Sequence, residues 1–255
     1  MHRAPYPLCP RRKRNYCMQP KPRAAFFDID NTLLNLKSMF SFQEYFYAHA
    51  PQQWRGRGDS YAHFVELLHS YPQRDDRLAL NRFFYESYEG RRQADVSALA
   101  ERWFASLLQQ HGGRLWLPAA LDLARRLKAR GYLLVAVSGS CHEILTPVLR
   151  HLAFDHCLAT RLEVQHGLYT GKILPPQVIG NGKAQALLEY ARSHSLELQH
   201  CVACGDHITD LPMLEAVGMS YVVAGDSALE QVARIRNWPV LDAMNALHAA
   251  DLAHA

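Results

Sequence analysis

The chain has 255 residues, of which 49% are hydrophobic and 20% are charged, and its formal net charge is +4. That length is sufficient for one sizeable domain, with or without a smaller insert, and the composition is ordinary for a globular enzyme. No stretch approaches the ~20 uninterrupted apolar residues that cross a bilayer, and no apolar run follows the basic N-terminus as it would in a secretory signal. We therefore expect a cytoplasmic protein with no membrane partner.

The positive charge is concentrated in the N-terminal tail. Residues 1–17 contain five basic side chains and no acidic one, and without them the chain has 23 basic and 24 acidic side chains, a net charge of −1. A tail that binds nucleic acid is one interpretation. A charge run alone is a weak signal, so the favoured prediction is a disordered leader over residues 1–22, or a start codon placed too early with Met18 as the true first residue. No nucleic-acid partner is expected.

The first predicted element is a short buried strand that ends in carboxylates. Residues 24–30 have the sequence Ala-Ala-Phe-Phe-Asp-Ile-Asp, in which an apolar run leads directly to two acidic side chains. Because the strand is expected to end at Asp28, the chain can curl there and bring the carboxylates of Asp28 and Asp30 to one pocket.

The segment from residue 36 to residue 116 has helical periodicity and no good strand. Its apolar side chains recur at spacings of three and four, with three turn-forming breaks, which predicts about four helices. Of the 26 aromatic residues of the chain, 16 lie in this segment. We predict that residues 36–116 form an all-helical cap domain, inserted into a core domain made of residues 23–35 and 117–245.

After residue 117 helices and strands alternate. The predicted helices are residues 119–130, 143–152, 181–193, a helix ending at 214, and 229–236. The predicted strands are residues 133–137, 201–204 and 221–224, with a hairpin over 161–170 that turns at residues 165–167. This alternation is typical of an α/β fold, here a Rossmann-like parallel sheet with helices on both faces.

Polar clusters follow three of the predicted strands, at residues 28–32, 138–140 and 205–210. The carboxyl ends of parallel strands border the ligand crevice, so folding is expected to bring the clusters to one rim. Carboxylates that lie close together raise one another's pKa, and Mg²⁺ relieves this repulsion because it prefers oxygen ligands. The clusters therefore predict a Mg²⁺ site with carboxylates from Asp28, Asp206 and Asp210.

Such a site is suited to phosphoryl transfer, which needs cations and hydrogen-bond donors around the moving oxygens. A carboxylate can act as a nucleophile and form an aspartyl phosphate. A second carboxyl two residues later can protonate the leaving alcohol and then activate water. Ser138, which lies at a strand end before a helix, can donate its hydroxyl to the phosphoryl group.

Two side chains near the clusters have alternative interpretations. Lys183 lies in the first turn of a helix, where a positive charge opposes the helix dipole, which favours a ligand role; a solvated surface lysine is the alternative. His207, directly after Asp206, can approach the metal or can make a structural hydrogen bond at a helix start. The structural hydrogen bond is the favoured prediction for His207.

The order of these clusters resembles the four motifs of the haloacid dehalogenase superfamily. The motifs in this chain are Asp28-x-Asp30-x-Thr32-Leu33, Ser138-Gly139-Ser140, Lys183, and Gly205-Asp206-x-x-x-Asp210. The resemblance covers about residues 23–240. The position of the helical insert is similar to that of the members with a helical cap, and the region around Ser138 and Gly205 most resembles the branch that contains the phosphoserine phosphatases.

The resemblance implies a role for each motif residue. It implies that Asp28 is the nucleophile and Asp30 the general acid and base. It implies a phosphoryl group bound by Thr32, Ser138, Gly139 and Lys183. It implies Mg²⁺ bound by Asp28, Asp206 and the backbone carbonyl of Asp30, with Asp210 supporting the metal site.

One departure from the family pattern bears on the substrate. Phosphoserine phosphatases typically carry a glutamate, which binds the substrate's amino group, at the position of Lys37. A lysine repels an ammonium group, so the prediction is a small phosphorylated metabolite with an anionic or neutral alcohol portion, and phosphoserine itself is not favoured. Most aromatic residues of the cap are expected to form its core, whereas Phe40, Phe42 and Tyr45 are predicted to face the leaving group.

The favoured function is therefore a Mg²⁺-dependent phosphatase that acts through an aspartyl phosphate. A phosphotransferase or phosphomutase with the same nucleophile is the first alternative, and by family analogy such enzymes usually have smaller caps. A non-catalytic binding protein is the second alternative, and it is disfavoured because every expected catalytic residue type is present.

Overall fold

The computed structural model describes residues 22–51 and 60–245 of the chain. Within them it contains one seven-stranded sheet in the order β4-β3-β2-β1-β5-β6-β7. The strands are β1 (Arg23–Phe27), β2 (Tyr132–Cys141), β3 (His156–Gln165), β4 (Leu168–Leu174), β5 (Val202–Gly205), β6 (Met219–Val223) and β7 (Val240–Leu241). Every neighbouring pair is parallel except β3 and β4, which are antiparallel.

Nine α-helices connect or precede these strands in the described part of the chain. They are α1 (Ser38–His49), α2 (Tyr61–Ser70), α3 (Arg77–Glu86), α4 (Gln93–His111), α5 (Pro118–Ala129), α6 (His142–His151), α7 (Asn181–Ser193), α8 (Leu211–Leu214) and α9 (Ser227–Arg236). None of them is long and apolar enough to cross a membrane.

Helices cover both faces of the sheet, as predicted. Side chains of β1 alternate between two hydrophobic clusters: Phe27 belongs to the cluster formed with α5 and α6, and Phe26 to the cluster formed with α7, α8 and α9. Both rings are fully buried. Because a strand with two buried faces carries apolar side chains at successive positions, this burial accounts for the continuous apolar run in the sequence. The prediction of a Rossmann-like α/β fold is confirmed.

The hairpin predicted near residue 166 is present between β3 and β4. His166 and Gly167 both have positive φ, 52° and 80°, as a two-residue hairpin turn with matching twist requires. β3 begins at His156, earlier than predicted, because its first half pairs in parallel with β2 before its second half turns into the hairpin. β7 was not predicted: it has two residues, too few to produce a periodic pattern.

Four helices, α1 to α4, lie between β1 and α5, as the periodicity of this segment predicts. Their interior is aromatic: the ring of Phe42 packs against Phe46 and Trp103, and Phe64 packs against Phe84. The Trp103 indole N–H donates to the Ser41 hydroxyl at 3.1 Å, which satisfies the polar atom of a buried ring.

One hydrophobic cluster runs from these helices into one face of the sheet. The division into a cap over residues 36–116 and a core over residues 23–35 and 117–245 therefore stays a prediction. The leader predicted for residues 1–22 and the start predicted at Met18 lie outside the described residues, apart from Pro22.

Candidate active site

The first motif is a tight turn that begins where β1 ends. The backbone N–H of Asp28 donates to the Cys204 carbonyl of β5 at 2.9 Å, and the N–H groups of the three residues after Asn31 all point to the Ile29 carbonyl, at 3.3, 3.0 and 2.9 Å. Asn31 has φ of 61°, which Asn tolerates better than most residues. Because of this turn, Asp28 and Asp30 both line the same cavity.

This cavity, of about 220 Å³, lies between the carboxyl ends of β1, β2 and β5 and the helices α1, α2 and α3. Most of the predicted site residues form its wall: Asp28, Asp30, Lys37, Phe40, Ser138, Gly139, Lys183, Asp206 and Asp210. The topology thus brings together motifs that are up to 182 positions apart in the sequence.

Lys183 connects two carboxylates inside this wall. Its Nζ lies 2.8 Å from Asp28 Oδ1 and 2.6 Å from Asp210 Oδ1, and the residue is 4% exposed. Burial alone lowers the pKa of a lysine, but the charges of Asp210 and Asp28 outweigh burial and raise the pKa of Lys183. The ammonium group is therefore charged at neutral pH, and the surface-lysine alternative is wrong.

Three carboxylates, those of Asp28, Asp206 and Asp210, each offer an oxygen within 4.8 Å of the others. Burial raises the pKa of Asp28, the charges of Asp210 and Asp206 raise it further, and Lys183 opposes them. Burial followed by the charge of Asp210 also raises the pKa of Asp206. Clustered oxygen donors with mutually unfavourable charges fit a hard divalent cation.

Both carboxylate oxygens of Asp210 accept hydrogen bonds from other groups of the protein. Oδ1 accepts from Lys183, and Oδ2 accepts from the backbone N–H groups of Asp206 and His207 at 3.1 and 3.3 Å. A Cβ at Gly205 would lie 2.6 Å from this Oδ2, so the glycine is required for the close approach. These contacts favour the supporting position implied for Asp210 over direct ligation.

Thr32 lies behind the carboxylates instead of in the cavity wall. It is fully buried, and its hydroxyl donates to Asp206 Oδ1 at 2.9 Å. In this structure the hydroxyl orients Asp206, and the predicted contact of Thr32 with the phosphoryl group stays a prediction.

Ser138 and Gly139 lie in the second half of β2. The Ser138 hydroxyl accepts from the Ser140 N–H at 3.2 Å, which leaves its own proton for another acceptor. A Cβ at Gly139 would meet the Ile179 side chain at 2.8 Å. The backbone of Gly139 is thus closely packed and forms part of the cavity wall.

Asp30 is held by hydroxyl groups. The Ser140 hydroxyl donates to Asp30 Oδ2 at 3.3 Å, and the Ser140 and Ser38 hydroxyl oxygens are 2.6 Å apart. Burial and then the charge of Asp28 raise the pKa of Asp30 to about 6, against hydrogen bonds from Ser38 and Ser140. A carboxyl with such a pKa can donate a proton near neutral pH.

His207 has the structural position that was favoured from the sequence. Its Nδ1 accepts from the Thr209 backbone N–H at 3.1 Å and caps a short 3₁₀ helix. The Arg77 guanidinium lies 2.7 Å from the same ring nitrogen. Burial and the charge of Arg77 lower the pKa of His207.

Two predicted specificity residues lie away from the cavity wall. Phe42 is fully buried against Trp103 among the helices α1 to α4, and Tyr45 stacks on His49 at 3.9 Å between ring centroids. Successive residues of a helix are about 100° apart, so Phe42 lies on nearly the opposite face of α1 from Phe40. Of the three aromatic residues proposed to face the leaving group, only Phe40 lines the cavity.

Two polar side chains of α3, Arg77 and Asn81, also line the cavity and were not predicted from the sequence. Asn81 is 4% exposed, its amide N–H donates to the Gly139 carbonyl at 3.4 Å, and its amide oxygen accepts from Gln177 at 2.8 Å. A spacing of four residues places both on one face of the helix. The sequence signal for these residues was a pair of polar side chains, four positions apart, in a helix whose interior face is otherwise apolar.

Comparisons with known proteins establish the family to which the chain belongs. The model of the haloacid dehalogenase-like hydrolase family matches residues 25–215. The chain belongs to this family. The predicted resemblance to the haloacid dehalogenase superfamily is therefore confirmed.

Individual relatives of this haloacid dehalogenase-like hydrolase include two proteins of Mycobacterium tuberculosis (strain ATCC 25618 / H37Rv). "Probable phosphatase Rv3661" is 38% identical over 224 residues, which cover 87% of this chain and 76% of the relative. "Phosphoserine phosphatase SerB1" is 29% identical over 228 residues, 89% of this chain and 73% of the relative. The second match supports the predicted phosphoserine-phosphatase-like branch.

Among solved structures, a protein of unknown function from Bordetella pertussis Tohama I superposes with a TM-score of 0.72. It is 22% identical, and the match covers 88% of this chain and 99% of that chain. At this identity the match shows a shared fold.

Proposed function

We propose that this haloacid dehalogenase-like hydrolase is a Mg²⁺-dependent phosphatase that hydrolyses a small phosphomonoester through an aspartyl phosphate on Asp28. The observation that carries the proposal is the position of the Asp28 carboxylate: it lies at the cavity wall, 2.8 Å from the buried Lys183 ammonium and within the carboxylate cluster. The family membership and the relatives named as phosphatases support the same reaction class.

The proposed reaction has two steps. In the first, an Asp28 oxygen attacks phosphorus, the bond between phosphorus and the leaving oxygen breaks, and Asp30 gives its proton to the leaving alcohol. In the second, Asp30 takes a proton from water, the water oxygen attacks phosphorus, and the bond to Asp28 breaks. Lys183, together with donors at Ser138 and Gly139, stabilises the negative charge on the phosphoryl oxygens.

Asp28, Asp206 and the Asp30 carbonyl are the groups proposed to hold Mg²⁺, with Asp210 and Thr32 positioning them. When bound, Mg²⁺ neutralises the carboxylate cluster and polarises the phosphoryl group. The fit rests on the raised pKa values of Asp28 and Asp206, which show that their negative charges are unfavourable in the protein alone.

The size and lining of the cavity support a small substrate. Its volume of about 220 Å³ is below the range of about 300–1,000 Å³ for pockets that hold drug-sized ligands. Helices α1, α2 and α3 and their flanking residues contribute two cations, Lys37 and Arg77, to the described wall, and no acidic side chain. The remaining cap residues of the wall are apolar except Asn81. We therefore propose a substrate whose alcohol portion is anionic or neutral.

The proposed function is tested by phosphate release from a panel of phosphomonoesters, including phosphoserine, with Mg²⁺ or with chelator. We expect turnover of at least one small ester with Mg²⁺ and a loss of turnover of at least about 100-fold with chelator, because metal neutralises the cluster. Adding a second alcohol as acceptor tests the phosphotransferase alternative, which predicts a new ester in place of free phosphate. Absence of turnover and transfer by folded protein with saturating Mg²⁺ contradicts the proposal.

Charge reversal at Lys37 tests the substrate preference. The measured quantity is kcat/KM for an ester that carries an ammonium group, divided by kcat/KM for an ester that carries a carboxylate. In Lys37→Glu we expect this ratio to rise about fivefold, since exposed charges interact modestly. Lys172→Glu, on β4 and outside the cavity wall, makes the same charge change as a control. An equal change of the ratio in both variants would assign the effect to net charge and not to Lys37.

A further inference from the structure

Two buried serines from different parts of the chain meet at the Asp30 carboxyl. Ser38 is the first residue of α1, in the cap segment, and Ser140 lies near the end of β2, in the sheet. Ser38 is fully buried and Ser140 is 1% exposed. Their hydroxyl oxygens are 2.6 Å apart, although the two residues are separated by 102 positions in the sequence.

Both serines hydrogen-bond to the Asp30 carboxyl. The Ser140 hydroxyl donates to Asp30 Oδ2 at 3.3 Å. Hydrogen bonds from the side chain and the backbone of Ser38 also act on Asp30 and lower its pKa, against the effect of burial. The two hydroxyls and the Asp30 carboxyl therefore form one hydrogen-bonded cluster.

The other Asp30 oxygen has no comparable anchor. Oδ1 is buried and has no hydrogen-bond partner among the described residues. Ser140 and Ser38 are thus the residues that fix the rotation of the carboxyl. Burial of an unpaired carboxyl oxygen is costly, which makes the remaining hydrogen bonds important for orientation.

We propose that Ser38 and Ser140 are positioning residues that hold the Asp30 carboxyl in the orientation in which it protonates the leaving alcohol. This inference rests on the proposed function, in which Asp30 is the general acid. The O–H bond of the protonated carboxyl breaks, and its proton goes to the leaving oxygen as the bond from that oxygen to phosphorus breaks. The serines keep their own protons. Because Ser38 belongs to α1, the pair also links the cap segment to acid catalysis.

The test compares leaving groups. Departure of p-nitrophenolate needs little protonation, whereas departure of an alkoxide needs the general acid, and kcat/KM reports the steps up to release of the alcohol. In Ser140→Ala we expect kcat/KM for the best alkyl phosphate of the panel to fall at least about tenfold, part of the 10²–10⁴-fold that general acid catalysis provides. We expect kcat/KM for p-nitrophenyl phosphate to fall less than about threefold.

Ser38→Ala tests the other serine of the pair and provides a second variant in case Ser140→Ala folds poorly. It is expected to change the alkyl-to-aryl ratio in the same direction. Because Ser38 also hydrogen-bonds to Asp30 itself, the double variant should change the ratio more than either single variant does. Thermal unfolding of each variant gives the effect on stability separately.

Ser220→Ala is the matched control. The Ser220 hydroxyl is also buried, donates to the Leu214 carbonyl at 2.6 Å, and lies on β6 outside the cavity wall. We expect this variant to lose stability without a change in the alkyl-to-aryl ratio. Asp30→Asn is the reference for complete loss of the acid and is expected to show the largest change of the ratio.

The outcomes separate the inference from the function on which it rests. An equal fall for both esters in Ser38→Ala and Ser140→Ala, with a selective fall in Asp30→Asn, overturns the positioning role and leaves the phosphatase intact. An equal fall in Asp30→Asn overturns the acid role of Asp30, and the inference with it. Lack of phosphate release by the wild type from either ester overturns the proposed function itself.

Discussion

Replacement of Asp28 by asparagine is expected to reduce phosphate release at least about 10³-fold, because an amide oxygen does not form the covalent phosphoryl intermediate that the proposed reaction requires. The side chain keeps its shape and loses its charge. Acid quenching during turnover, followed by mass spectrometry, should show a phosphorylated protein for the wild type and none for the variant.

The loss in Asp28→Asn is expected without a loss of stability. Burial and neighbouring charges raise the pKa of Asp28, so its anion is unfavourable in the folded protein, and Lys183 retains Asp210 at 2.6 Å as a partner. The melting temperature should therefore not fall. Asp122→Asn, at a partly exposed carboxylate paired with Arg126 on α5, provides a control that should retain full activity. If Asp28→Asn keeps more than about 1% of the wild-type turnover, the loss is less than ~10²-fold. That result would contradict the assignment of Asp28 as the nucleophile.

Replacement of Lys183 by methionine is expected to lower both activity and stability. In chelator, at neutral pH, we expect the free energy of unfolding to fall by about 3 kcal/mol, since removing one partner of a buried ion pair leaves the other charge uncompensated. Here two carboxylates, those of Asp28 and Asp210, lose the ammonium that lies within 2.8 Å of each. Denaturant unfolding provides the measurement. Phosphate release should fall at least about 100-fold because the charge that is proposed to stabilise the phosphoryl oxygens is lost.

The stability loss in Lys183→Met should depend on pH. The pKa of Asp28 is already raised in the folded protein, and Lys183 is the charge that lowers it. Without the lysine the folded pKa rises further above the unfolded value. At pH values above its folded pKa, a carboxylate of this kind is charged and destabilises the folded protein. This loss of stability disappears as the pH falls and the carboxyl binds a proton. The difference in the free energy of unfolding between Lys183→Met and the wild type should therefore become smaller as the pH is lowered.

Lys128→Met provides the matched control for Lys183→Met. Lys128 pairs with Asp155 at 3.4 Å, but its side chain is 41% exposed, against 5% for Lys183. Exposed pairs contribute roughly 0–1 kcal/mol, so this variant should remain within that range of the wild type and keep its activity. If the two substitutions lower the free energy of unfolding equally, burial of Lys183 does not determine its contribution to stability.

Elements with strong local patterns were predicted well from the sequence. Helix α7 has the predicted bounds, residues 181–193, and the turn at His166-Gly167 has the predicted place. Such signals lie within a few residues of one another: an apolar run, a helical period, a glycine at a positive φ. The short strand β7 and the parallel half of β3 exist because a neighbouring strand pairs with them, and no local pattern records that pairing.

The sequence by itself determined the α/β class, the helical insert after β1, and the strand-end positions of the acidic clusters, because each depends on the order and period of nearby side chains. Only the tertiary structure decided how those side chains are used. It decided that Lys183 is buried between two carboxylates, that Thr32 holds Asp206, that Phe42 packs against Trp103, and that Ser38 meets Ser140 beside Asp30. The physical reason is that hydrogen bonds and ion pairs between residues distant in sequence depend on burial and on relative orientation. Both are set by the packing of the whole chain.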